Sequence, residues 1–303
     1  MSEAVARRGR EARAPVRPMR PRELEDPLNR WLYHPLAWQL ARLWARTPIT
    51  PNQVSALGGL TVVAAGAGYV GPLWGGPAWP VSAVLGLALH MAWHVIDGSD
   101  GDLARMTGRT SPVGEMVDGL CDYLSHIVLY LMLAALLAQS IGGWAWAVVF
   151  PAGFAHAIQS NHVEAQRRYY LSWIYAKPWL ANARPAGRGP LAWLVSLYLR
   201  IAQGTTRGAL AIDHAIRAAA GDPARLEAIR AAIRAEAPPL LLIEKWLGAN
   251  SRAIALGLSM LLTESPLAYF AYGGVWLSAL LVVSVVMHNR AWRRVADRIA
   301  ALG

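Results

Sequence analysis

Three long stretches of this chain lack charge, and they restrict what it can fold into more than any other feature. From Asn52 to Ile96, and again from Tyr123 to Val163, there is no Asp, Glu, Lys or Arg; from Ala253 to Asn289 there is only Glu264. Each is about twice the ~20 residues that cross a bilayer core, and each is interrupted near its middle by turn formers. The first break holds Gly71, Pro72, Gly75, Gly76, Pro77 and Pro80, the second Ser140, Gly142 and Gly143, the third Glu264, Ser265 and Pro266. The pattern predicts three helical hairpins, and so an all-α integral membrane protein with six transmembrane helices. A hydrophobic share of 55% against 16% charged residues fits that class and departs from an ordinary soluble domain. The single cysteine, Cys121, excludes a disulfide framework, a Cys-rich zinc site and a CxxC redox centre.

Arginine placement gives the orientation. The hairpin tips carry almost no positive charge and hold Trp74, Trp79, Trp144 and Trp146, where an aromatic belt belongs. The other side is basic: Arg7, Arg8, Arg10, Arg13, Arg17, Arg20 and Arg22 precede the first stretch, Arg105 and Arg109 lie in the first connection, and Arg290, Arg293, Arg294 and Arg298 follow the last. The positive-inside rule then puts both termini in the cytoplasm, in what is expected to be a bacterial inner membrane. A net charge of +10 also raises nucleic acid as a partner, but the arginine tail has no interleaved aromatics and is followed by no soluble binding fold, so lipid is the expected partner and nucleic acid is not. No cleavable signal peptide is expected before the first span.

Four segments follow. Residues 1–26 read as a disordered Arg-rich cytoplasmic tail; 27–163 as an interfacial helix plus transmembrane helices 1–4; 164–252 as a cytoplasmic or interfacial helical insert; and 253–303 as transmembrane helices 5–6 with a basic C-terminus. Within Pro27 to Arg46, the residues Leu28, Trp31, Leu32, Leu36, Leu40, Leu43 and Trp44 recur at helical spacing, with Arg30, Gln39, Arg42 and Arg46 elsewhere, which suits a helix lying in the interface. In the insert, Asp222 and Pro223 mark a helix start, Leu226, Ile229 and Ile233 form one apolar stripe, and Pro238 with Pro239 is expected to end it. The run from Leu191 to Ile201 is apolar but too short to span, and reads as surface-lying or packed on the bundle.

Six of the 19 acidic residues crowd between spans two and three: Asp97, Asp100, Asp102, Glu115, Asp118 and Asp122. Asp118 and Asp122 are four apart and share a helix face; Asp97 and Asp100, three apart, do likewise. Ionised carboxylates gathered beside a bilayer repel one another and are costly unless compensated, and a divalent cation is the simplest compensation. All-oxygen ligands favour Mg²⁺, with Mn²⁺ or Ca²⁺ also fitting, over zinc. Four carboxylates exceed the usual protein share of one Mg²⁺ shell, so a two-ion site of the kind that clamps phosphoryl oxygens is expected. Solvated loop charge accounts for Asp102 and Glu115, but not for Asp118 and Asp122, which run on into an apolar span. His94 and His126 read as structural histidines, outside any ligand set. Gly98 and Gly108 read as turn or packing glycines, whereas Gly101 followed by Ala104 leaves a helix face bare enough for a ligand to approach the backbone.

Taken in order, the segment is Asp97, two residues, Asp100, Gly101, two residues, Ala104, Arg105, eight residues, Gly114, three residues, Asp118, three residues, Asp122. This resembles the signature of the CDP-alcohol phosphotransferase family at every position, and six spans agree with that family's six-helix architecture. The resemblance implies a metal-dependent enzyme in phospholipid biosynthesis. An acceptor hydroxyl attacks the phosphorus distal to cytidine in a CDP-linked donor, most simply CDP-diacylglycerol, and CMP leaves. By position, Asp97, Asp100 and Asp118 hold the metal pair, Asp122 touches the metal and is the catalytic general base, and Gly101 and Ala104 make room for the nucleotide. Arg105 supports the motif or the nucleotide phosphates, and Gly114 completes the nucleotide-binding set. Asn52, in the Thr50-Pro51-Asn52 approach to span one, is placed at the nucleotide or in a helix cap. Arg167 and Arg168 are acceptor-phosphate candidates or interfacial anchors; the arginine, alanine, glutamate pattern of phosphate-bearing acceptors is missing, which leaves the acceptor class open. The family also implies a homodimer.

Two alternatives share some of these features. The same aspartates serve a soluble CDP-alcohol donor and a lipid or polyol acceptor equally well. A divalent-cation transporter also carries intramembrane carboxylates, but it requires polar residues through the bundle, and beyond Asp122 the third span offers only Ser125 and His126 before Leu137.

Overall fold

The computed structural model describes residues 20–177 and 208–301; most of the arginine tail and the Leu191–Ile201 run lie outside the described residues. No strand forms among the described residues. Among the described residues ten α-helices carry the fold: α1 (His34–Trp44), α2 (Pro51–Tyr69), α3 (Val81–Thr107), α4 (Pro112–Ile141), α5 (Trp144–Tyr175), α6 (Ala209–Ala218), α7 (Pro223–Leu247), α8 (Ala249–Thr263), α9 (Leu267–Ala271) and α10 (Leu277–Ala300). The chain breaks at all three expected turns: a 3₁₀ turn over Gly71–Trp74 separates α2 from α3, Gly142 adopts φ +59° between α4 and α5, and Glu264 adopts φ +53° between α8 and α9. Among the described residues three helical runs are long and apolar enough to cross a membrane: Val81–Thr107, Val113–Ile141 and Leu267–Ala300. The other hairpin partners are shorter or more polar. α8 has 15 residues, and α5 carries His156, Gln159, Asn161 and His162.

The chain divides into two compact units, residues 1–65 with 88–128 and residues 66–87 with 129–303. In the first, α2 is wedged between the two helices that carry the acidic motif. A Cβ on Gly58 would lie 3.6 Å from the Trp93 ring of α3, and one on Gly59 would lie 3.3 Å from the Cys121 carbonyl of α4. Backbones approach this closely in lipid because small residues give up no packing and gain close contact. The start of α2 is fixed by a capping box: the Gln53 N–H donates to Thr50 Oγ1 (3.4 Å), the Thr50 N–H donates to Gln53 Oε1 (2.9 Å), and Pro51 stands at the first helical position. The cap therefore belongs to Thr50, and Asn52 is left exposed in the first turn.

In the second unit the upper end of α2 meets the start of α3 at Gly68 and Gly86. A Cβ on Gly86 would stand 2.4 Å from the Tyr69 ring, closer than real side chains come. Gly86→Ala is expected to lower stability by about 1–3 kcal/mol through this overpacking, read as a fall in the thermal midpoint in detergent; an unchanged midpoint would remove the tight crossing.

The insert departs from expectation in one respect. Asp222 caps α7, accepting from the Arg225 N–H at 3.0 Å, and Ile229 and Ile233 are fully buried as the stripe required. Pro238 and Pro239, however, do not end the helix, which runs on to Leu247. Each proline removes one backbone donor, but Ala237, Leu240 and Leu241 around them are buried, so tertiary packing outweighs the local loss. Near its end, α7 joins a buried polar chain. Glu244 Oε1 lies 3.0 Å from His288 Nε2, His288 Nδ1 lies 3.2 Å from Ser284 Oγ, and Ser284 Oγ lies 3.0 Å from His162 Nε2 of α5.

Candidate active site

α3 does not stop where the charge-free stretch stops. It continues to Thr107, ending at Gly108 with φ +67°, so Asp97, Asp100 and Asp102 are all helical. α4 likewise carries Glu115, Asp118 and Asp122 on regular helix. The two helices bring carboxylate oxygens of Asp97, Asp100 and Asp118 within 4.8 Å of one another. Opposite oxygens of an octahedral Mg²⁺ shell are about 4 Å apart, so this set needs only a small contraction to hold such an ion. Asp122 falls outside that trio yet close to it: among charged neighbours it acts most strongly on Asp97. Three of the four expected ligands thus converge, and the fourth stands a helical turn further along α4.

Asp100 is oriented by a partner the sequence analysis missed. Ser55, buried on α2, donates to Asp100 Oδ2 at 2.5 Å. It lies in the turn after Asn52, and its only signal in sequence is that position one turn into α2. Ser55→Ala is expected to let the Asp100 carboxylate rotate and to weaken Mn²⁺ binding about tenfold, checked by paramagnetic resonance on a Mn²⁺ titration. Asn52 also comes to the motif. A Cβ on Gly114, at the start of α4, would lie 3.6 Å from Asn52 Oδ1, so two of the residues assigned to the nucleotide are neighbours.

Asp102 corrects the expectation of a solvated loop charge. It is 1% exposed and paired with Arg20 at 3.1 Å and with Arg105. A lone buried carboxylate would be costly, and two guanidinium groups compensate it. Arg105 is thereby committed to the motif helix, and its guanidinium lies across Gly101, with Nη1 3.4 Å from where a Cβ would stand. The glycine leaves room for that lid of charge. Just before α1, Glu25 bonds His34 Nδ1 at 2.6 Å. Burial and the nearby Arg20 hold that imidazole below its usual pKa, with Glu25 opposing.

The histidines behave as structural groups, though not as isolated ones. His94 stacks on Tyr33 at 4.7 Å between ring centroids and lies tilted against Trp93 at 4.4 Å; His126 packs edge-on against Trp93 at 4.8 Å; and His90, for which no role was expected, lies 6.0 Å from His126. The Asp122 carbonyl is 2.8 Å from His126 Nδ1 and accepts from Ser125 Oγ at 3.0 Å, which fixes the backbone beneath the Asp122 side chain.

Arg167 and Arg168 lie in the second unit, and both pair with Glu164, at 2.9 and 2.5 Å. Burial opposes the Glu164 charge, but the two guanidinium groups outweigh it and hold the carboxyl at about 2. Gln159 is buried, bonding the Gly273 carbonyl at 2.9 Å and accepting from Arg252 at 2.9 Å.

Residues 49–174 match the model of the CDP-alcohol phosphatidyltransferase family, a match over less than half of the chain. Among characterised proteins, the chain is 40% identical over 63 residues to the archaetidylinositol phosphate synthase of Aeropyrum pernix, a match covering 18% of this chain and 31% of that relative. The chain thus matches about a third of the relative's length.

Proposed function

We propose that this protein is a membrane-embedded phosphatidyltransferase that moves a substituted phosphate from a CDP-linked lipid, CDP-diacylglycerol or a close analogue, to the hydroxyl of a small polar acceptor. The observation that carries the reading is the convergence of Asp97, Asp100 and Asp118 within 4.8 Å at the ends of two apolar helices, inside a segment matching the family. Asp97, Asp100 and Asp118 would hold divalent cation, Mg²⁺ before Mn²⁺, with Asp122 completing a two-ion set. What such an ion supplies is neutralisation of the pyrophosphate and of the departing CMP.

The chain's own residues do the rest. Asp122 accepts the acceptor hydroxyl proton as its oxygen bonds the phosphorus distal to cytidine; the pyrophosphate P–O bond breaks and CMP leaves with the electron pair. Gly101 and Ala104 keep the α3 face free of bulk for the nucleotide, Arg105 lies over that face, and Asn52 beside Gly114 offers an amide to the base or ribose. A site at the ends of the spans lets a lipid donor meet a soluble acceptor without either leaving its phase. Six spans with both termini in the cytoplasm, the fourfold segment division, and a homodimer belong to the same reading.

The name of the relative points to a phosphorylated inositol headgroup, so inositol phosphate leads the acceptor panel. The test is CMP release by purified protein with CDP-diacylglycerol and Mg²⁺ across inositol phosphate, glycerol phosphate, inositol, serine and choline, then the converse panel of CDP-alcohols with lipid acceptors. Release with one acceptor of the first panel is expected. Release only in the converse panel would reverse donor and acceptor, and Mg²⁺ uptake into vesicles without CMP release would favour the transporter.

A further inference from the structure

The inner and outer faces of α1 do different things. Inward, Tyr33, Ala37 and Ala41 are buried, and Ala37 lies where a Cβ on Gly98 would come within 3.3 Å, so α1 packs directly on the motif helix between Asp97 and Asp100. Outward, Leu36 and Leu43 are exposed on one strip, 40% and 56%, and Trp31 precedes them at 73%. The adjoining strip forms an open groove of about 480 Å³, lined by Pro35, Trp38, Gln39, Arg42, Leu43 and Arg46. Arg42 and Arg46 are four residues apart on the groove, and neither makes an ion pair or side-chain hydrogen bond among the described residues. By contrast Arg20 and Arg105, near the same helix, are consumed by Asp102.

We propose that this groove is a binding site for the phosphate of an anionic phospholipid headgroup. Two guanidinium groups one turn apart, without an ion-pair partner among the described residues and with Gln39 beside them, match the fork geometry that phosphate oxygens accept. The neighbouring leucines supply an apolar strip for the upper acyl chains, as in a helix lying in the headgroup layer. A soluble anion would satisfy the arginines but leave Leu36, Leu43 and Trp31 in water. Lipid satisfies both strips at once. Because the inner face of α1 packs on Gly98, a headgroup held in the groove anchors the motif helix at the depth where a lipid-linked donor arrives. The inference rests on the interfacial reading of α1 and is independent of the transfer chemistry.

The test uses the full-length protein in neutral detergent and in nanodiscs. Short-chain phosphatidylglycerol, phosphatidylcholine or inorganic phosphate is titrated while the thermal midpoint is followed, and retained lipid is counted by native mass spectrometry. Phosphatidylglycerol is expected to raise the midpoint saturably, phosphatidylcholine and millimolar inorganic phosphate to leave it unmoved, and Arg42→Gln with Arg46→Gln to weaken the lipid response about 10- to 30-fold. Arg225→Gln with Arg234→Gln removes the same charge elsewhere and should behave as the parent. Arg42→Lys with Arg46→Lys, which keeps the charge and serves if the glutamine pair does not fold, is expected to recover only part of the response. CMP release in phosphatidylcholine nanodiscs should be equal in all folded variants, which separates this site from the reaction centre. An equal response in the parent and the Arg42/Arg46 glutamine pair, an equal loss in the Arg225/Arg234 pair, or stabilisation by inorganic phosphate alone would overturn the assignment.

Discussion

Asp122→Asn is expected to reduce CMP release by about 10²- to 10⁴-fold, the usual contribution of a positioned general base, while binding of the CDP-linked donor changes little. The argument is positional. Asp122 stands one turn along α4 from Asp118, outside the trio of oxygens that lie within 4.8 Å of one another, with its backbone carbonyl tied by Ser125 and His126. A carboxylate at the edge of that trio keeps an oxygen that can take a proton from an approaching hydroxyl even where its other oxygen reaches a cation. Asparagine keeps the shape and removes the basicity. Donor binding by the variant, followed by displacement of a fluorescent cytidine nucleotide, separates loss of the base from loss of the site. Parent-like turnover in Asp122→Asn would remove both the base assignment and the place of Asp122 in a two-ion set, and leave only the Asp97, Asp100 and Asp118 reading standing.

The second large effect concerns that trio. Asp97→Asn, Asp100→Asn and Asp118→Asn are each expected to weaken Mn²⁺ binding by about tenfold or more and to raise the Mg²⁺ needed for half-maximal turnover. The double variant Asp97→Asn with Asp118→Asn should fall short of the sum of its parts, because removing either oxygen already breaks the shared coordination. Paramagnetic resonance on Mn²⁺ titrations reads this directly, without reference to catalysis. Additive, small losses would describe three separate surface carboxylates instead of one cluster.

Much of this was legible in sequence because it depends on local spacing. Helix periodicity places Asp118 and Asp122 on one face, and turn residues at Gly142 and Glu264 mark where the chain must reverse. What sequence could not supply are pairings between distant segments. Asp102 read as a solvated charge because its partner Arg20 is 82 residues away. Ser55 carries no distinguishing signal in an apolar helix, since its role appears only when α2 lies against α3. The prolines at 238 and 239 misled for the opposite reason: their local cost is real, but burial of Ala237, Leu240 and Leu241 around them outweighs it. The three runs that qualify as membrane-crossing by length and hydropathy are a stricter set than the six the charge pattern predicts, because polar residues such as Gln159 and His162 enter α5 to meet buried partners.

The chain from Glu244 through His288 and Ser284 to His162 changes how the segment after α5 should be regarded. A region that looks like an appendage supplies the carboxylate that satisfies an imidazole with no exposure to solvent on α10. Cutting α7 away would leave His288 Nε2 buried without its carboxylate partner, and the same holds for any shortened chimera that keeps His288. Engineering a minimal version of this protein therefore means replacing the histidine and its carboxylate together, as one unit.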